Sequence, residues 1–175
     1  MTRTSIVSFI AITAGIGGAL ASGIGFEDRA YGDKVTTLTS QEIESHAASA
    51  FLRADVNSDG VMNADEYTAL ATVTAELSLL NGFVAFETGA EEETVALPFG
   101  APGALTRGER ARIEAIARNE FYTVAGSDGV ATASEFRAFK SSRFFEADRN
   151  RNGKLAKAEL RAFAASEAKV GVSGV

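Results

Sequence analysis

Cysteine is absent from this chain, and histidine occurs once, as His46. The first absence removes disulfides and thiol chemistry, so rigidity has to come from packing or bound metal. The second leaves little for acid–base catalysis. Glu42 and His46 stand four residues apart and could form a pair on one helix face, but no second motif converges on them. His46 is read as a residue at the edge of the core, and no enzyme activity is expected. Cations are also scarce: Lys and Arg number 17 against 23 Asp and Glu, for a net charge of −6. That balance argues against nucleic-acid binding, and neither a basic face nor a Gly-rich phosphate loop is apparent. Met62 is the only methionine besides the initiator, so a Met-rich adaptable groove is missing.

Two stretches stand out. Asp55–Glu66 reads DVNSDGVMNADE and Asp148–Glu159 reads DRNRNGKLAKAE. Each has Asp at position 1, oxygen-bearing side chains at 3 and 5, Gly at 6 and Glu at 12. Ca²⁺ takes six to eight oxygen ligands, and a twelve-residue turn supplies them from alternate positions. In the first loop the side-chain ligands are Asp55, Asn57, Asp59 and Glu66. Val61 offers its carbonyl, and Asn63 binds directly or through water. In the second they are Asp148, Asn150, Asn152 and Glu159, with the Lys154 carbonyl; Ala156 can offer only a bound water. Met62, at position 8, is expected to point inward and pair its backbone with a partner loop. The first loop holds Asp55, Asp59, Asp65 and Glu66 and no cation, a net −4. The second sets Asp148 and Glu159 against Arg149, Arg151, Lys154 and Lys157, a net +2. Ligand charge tunes affinity, so the first site is expected to be the tighter.

Twenty-four residues before each loop lies a weaker copy (55 − 31 and 148 − 124). In Val124–Glu135 only Asp128, Gly129 and Glu135 hold positions 5, 6 and 12. In Tyr31–Glu42 only Asp33 and Glu42 survive, at positions 3 and 12. Both degraded loops are read as structural partners rather than calcium sites. Apolar residues follow each of the four loops directly: Ile43, Tyr67, Phe136 and Leu160. Three residues on come His46, Leu70, Phe139 and Phe163, a spacing that places them on one helix face. The expected arrangement is two sequential pairs, residues 22–81 and 106–165, each with one degraded and one intact loop. A helix from Ala64 to about Leu80 should stop at Asn81-Gly82, and another should begin at Thr106, which has capping-box spacing with Glu109. Between them, 82–105 is a linker or insertion. It carries both prolines, an acidic cluster at Glu91–Glu93 and enough apolar residues to pack on the core. Residues 166–175 read as a flexible tail.

No charged residue appears between Arg3 and Glu27. An apolar run ending in Ala19-Leu20-Ala21 reads as a secretory signal peptide spanning 1–21, cut before Ser22. Removing Arg3 would shift the charge from −6 to −7. An uncleaved membrane anchor is the alternative, since the uncharged run is long enough to span a bilayer. The expected location is periplasmic or secreted.

The loops and their flanks resemble the EF-hand family, and among it bacterial exported calcium-binding proteins. The resemblance covers about Tyr31 to Phe163, with 82–105 as an atypical insertion. It implies an all-α fold of helix–loop–helix pairs joined by short β contacts at position 8, with Ca²⁺ as the bound ion. The expected function is that of an exported calcium buffer or a calcium-stabilised interaction module, with an unidentified protein as a possible partner. A sensor that opens an apolar groove for a target is the competing expectation.

Overall fold

The computed structural model describes residues 33–88, 92–97 and 103–169. The proposed signal peptide, both prolines and the last six residues of the expected tail lie outside the described residues. Twelve elements follow in order: β1 (Asp33–Lys34), β2 (Thr37–Thr39), α1 (Ser40–Ala54), β3 (Val61–Met62), α2 (Ala64–Asn81), β4 (Phe83–Glu87), β5 (Glu92–Ala96), α3 (Arg107–Val124), β6 (Ala131–Thr132), α4 (Ala133–Ala147), β7 (Lys154–Ala156) and α5 (Lys157–Glu167). The described chain is mostly helical, but it is not plainly all-α. Three small sheets hold it together.

The helices start where side-chain chemistry stops the strand before them. Thr39, Asn63, Thr106 and Thr132 each accept a hydrogen bond from the amide three residues on, and Glu42, Glu66, Glu109 and Glu135 each accept one from the cap's own backbone amide. These four capping boxes satisfy amides that the first helical turn would otherwise leave unpaired. α2 ends on Gly82 at φ 75°, a left-handed C-cap that a side chain would oppose. Each helix buries one stripe: Ile43, Ala47, Ala50, Phe51 and Ala54 in α1, or Ile113, Ala117, Phe121 and Val124 in α3.

The strand pairing differs from the sequential pairs expected. β2, from the first degraded loop, pairs antiparallel with β7 of the last intact loop. β3, from the first intact loop, pairs antiparallel with β6 of the second degraded loop. The four loops are therefore nested, first with fourth and second with third. Each pair still unites one intact loop with one degraded loop. The position-8 residues meet as anticipated: Leu38 faces Leu155 and Met62 faces Ala131, all four at 0 % exposure. Nesting follows from the shared helices. α1 leaves the first loop and leads into the second, and α4 does the same for the third and fourth. α1 packs on α4 and α2 on α3, which brings β2 against β7.

The 82–105 segment is also more than a linker. β4 and β5 form an antiparallel hairpin, and β1 joins β5 in parallel. Alternation along β4 turns Val84 and Phe86 inward, where they join Val95 and Leu97. These four enter a core with Leu38, Ile43, Phe144, Leu155, Leu160 and Phe163. A second core gathers Phe51, Met62, Tyr67, Phe121 and Phe136. Leu70 and Phe139 pack against this second core only partly buried. The tail expected from 166 is ordered through Lys169: Ala168 is fully buried and Lys169 pairs with Glu120.

Charged side chains from all five helices pair within this frame. Lys140 of α4 pairs with Glu167 of α5, their side chains 15 % and 9 % exposed. Lys169 pairs with Glu120 of α3, which also accepts a 2.6 Å hydrogen bond from the Tyr67 hydroxyl of α2. Burial alone would raise the Glu120 carboxyl, but Lys169 and the bonds from Lys169 and Tyr67 hold it below its ordinary value. Glu167 is likewise pushed up by burial and held down overall by Lys140 and Lys169. His46 of α1 sits beside them. Its Nδ1 accepts from the Glu87 amide at 3.1 Å and its ring meets Phe86 edge-on. Burial, aided by Lys140, lowers its pKa to about 4. This is the core-edge histidine expected from its repeat position.

Candidate metal centres

The two intact loops fold on the same internal scaffold. In the first, Asp55 Oδ1 accepts from the Asp59 amide at 3.1 Å and Oδ2 from the Gly60 amide at 3.0 Å. Asn57 Oδ1 accepts from Asp59 and Asp59 Oδ1 from Val61. In the second, Asp148 accepts from Asn152 at 3.1 Å and Gly153 at 2.8 Å. Asn150 and Asn152 then repeat the next two bonds, to Asn152 and Lys154. The side chains at 1, 3 and 5 are thus turned inward on the loop amides, because Asp and Asn readily bond backbone two residues on. Position 4 is left-handed in both loops, at Ser58 (φ 59°) and Arg151 (φ 57°), and position 6 is Gly60 (φ 84°) and Gly153 (φ 77°).

Position 9 separates the loops. Asn63 caps α2, and Glu66 answers it: Oε2 accepts from the Asn63 amide at 2.9 Å and Oε1 from Val56 at 3.2 Å. Ala156 has no side chain to cap α5. Both Glu159 carboxylate oxygens turn into the loop and accept from the Asn150 side-chain Nδ2, at 2.9 and 3.0 Å. The degraded loops keep only the cap. Thr39–Glu42 and Thr132–Glu135 form capping boxes, and Asp128 keeps a single turn bond to Val130. There the position-12 glutamate accepts the hydrogen bond of the cap amide.

Among the described residues no three Asp, Glu or His side chains gather into a compact cluster. The loops offer another kind of donor set: carboxylates, amide oxygens and one carbonyl each, with no nitrogen or sulfur ligand. Oxygen-only sets suit hard cations such as Ca²⁺ and Mg²⁺. Asp55, Asn57, Asp59, Val61, Asn63 and Glu66 lie on one such turn, and Asp148, Asn150, Asn152, Lys154 and Glu159 on the other. Glu42 and His46 share α1, but they have separate uses, in the cap and at the Glu87 amide.

The buried pairing of Lys140, Glu167, Lys169 and Glu120 was not visible in the sequence. Its members come from separate helices, so no local spacing marks them. The Thr39 and Thr132 capping boxes did carry a signal, Thr-x-x-Glu, which the loop pattern obscured.

No helix among the described residues is long and apolar enough to cross a membrane. No family model, no curated protein and no solved structure matches the chain.

Proposed function

We propose that this is an exported calcium-binding protein of EF-hand type, with Ca²⁺ held at Asp55–Glu66 and Asp148–Glu159. The observation that carries the reading is the hydrogen-bond scaffold repeated bond for bond in the two intact loops. Two loops of different charge and sequence share little except the residues that ligate calcium. The ion would neutralise Asp55, Asp59 and Glu66 in the first loop and Asp148 and Glu159 in the second, and tie each loop to the helix that follows. Bound metal would then supply rigidity in a chain without disulfides.

A buffer or calcium-stabilised module fits better than a sensor. Phe86, Phe121, Phe136, Phe144 and Phe163, which a sensor would use to line an opening groove, are all buried in the cores. Among the described residues no arrangement of nucleophile and base points to an enzyme.

The first site should bind more tightly. Glu66 must give up its capping bonds to ligate, which costs about 1 kcal/mol. Glu159 caps no helix, though it has to release Asn150. Against this, the first loop has a third carboxylate, Asp59, where the second has Asn152. A full charge in contact with a divalent ion outweighs a cap, and four cations surround the second site. Calorimetry should therefore find two sites. Asp55→Ala should abolish the tighter transition and Asp148→Ala the weaker. A larger loss from Asp148→Ala would reverse the order, and absence of calcium binding would end the proposal.

A further inference from the structure

The cations of the second loop work against its own metal. Arg149, Arg151, Lys154 and Lys157 hold positions 2, 4, 7 and 10, where no side chain ligates. Each is exposed, as is Arg161 one turn into α5. None of the five makes an ion pair among the described residues, whereas Arg53, Arg110, Arg118, Lys140 and Lys169 all have carboxylate partners. Arg143 and Arg149 also line one groove of about 510 Å³ with Glu146, Glu159, Phe163 and Ser166. Residues 143–161 carry six cations and three acids, a net +3, in a chain of net −6, so the remainder is −9. Calcium would raise the local charge from +3 to +5. Phe145, in the last turn of α4 between Arg143 and Arg149 in the chain, is 62 % exposed.

We infer that this end of the molecule is a calcium-gated docking face for a membrane surface bearing anionic headgroups. The inference rests on the calcium reading above and deepens it at the second site. Unpaired long-stemmed cations lose little on meeting phosphates, and each is favoured near an anionic surface. An exposed aromatic near them in the chain belongs at the boundary between headgroups and acyl chains, which favours a bilayer over a soluble acidic partner. Without calcium, Asp148 and Glu159 offset part of the basic charge and the acidic remainder is repelled. With calcium, those two acids are neutralised.

The test is co-sedimentation of the full chain with phosphatidylcholine vesicles, with and without phosphatidylglycerol, in calcium or chelator. Calcium should increase binding to the anionic vesicles at least about tenfold, from two added charges at the surface, and leave the neutral vesicles unaffected. Asp148→Ala should remove the increase. Arg149→Glu with Arg151→Glu should also remove it while calorimetry still finds both sites filled. If the increase survives in that doubly loaded variant, docking through this face is wrong and the calcium reading stands. Calcium-dependent capture by soluble polyphosphate but not by vesicles also overturns the membrane assignment. If calorimetry finds no calcium in the second loop, the parent reading fails, and docking with it.

Discussion

Lys140→Ala should destabilise the protein by about 3–5 kcal/mol, far more than loss of a surface ion pair. The reason is what the lysine leaves behind. Glu167 is 9 % exposed, and Lys140 is its ion-pair partner. Without Lys140 the carboxylate has no direct ion-pair partner, only the weaker influence of Lys169, in a site that water barely reaches. Lys140 also lies over the Phe136 ring at 5.4 Å, so the variant loses that contact as well. Replacing both partners with apolar residues, as in Lys140→Met with Glu167→Leu, should recover most of the loss, because no unpaired buried charge remains. Denaturant melts at neutral pH measure both. A single-variant loss below about 1 kcal/mol, the range of exposed pairs, would show that the charges are solvated after all.

Acid should weaken the fold well before the carboxylates titrate. His46 is held neutral, its pKa lowered from 6.5 to about 4. The unfolded chain takes up a proton near pH 6.5 and the folded chain does not until about pH 4. The stabilising contribution is therefore complete above pH 6.5 and is lost as pH falls towards 4. The gap corresponds to on the order of 3 kcal/mol. Lys140 and Arg53 oppose protonation, Glu167 and Glu87 favour it, and burial is the largest cause. Glu120 and Glu167, both held low, add their own losses only below the usual carboxylate range. His46→Gln can still accept from the Glu87 amide but cannot titrate. Its stability should fall between pH 6.5 and 4 with a slope one proton shallower than wild type. Equal slopes would remove His46 from the account.

Local features were legible in the sequence because local chemistry sets them. The Gly82 stop, the Thr106 cap and the burial of Ile43, Tyr67, Phe136 and Leu160 each depend on residues a few positions apart. The inward position-8 residues were legible for the same reason. Partner choice was not. Leu38 could have met Met62 or Leu155, since both are apolar and both sit at position 8. What decides is how α1 packs on α4 and α2 on α3, a property of whole helices. The 82–105 hairpin escaped for a related reason. Its alternation of Val84 and Phe86 was present, but Pro98, Pro102 and the acidic cluster made it read as a connection. The proposed ligands at positions 1, 3, 5 and 12 rest on residue identities alone. That Glu66 is engaged by a cap while Glu159 is not follows from one difference, Asn63 against Ala156, and the loop pattern alone does not weigh it.

Calcium titration followed by NMR at the two loop glycines tests the central claim most directly. The Gly60 amide donates to Asp55 and the Gly153 amide to Asp148, so each reports on its own first ligand. Both resonances should shift on adding calcium, Gly60 at lower concentration than Gly153, while Gly129 of the degraded loop saturates at no site of its own. Gly60 and Gly153 signals unmoved by millimolar calcium would contradict the account.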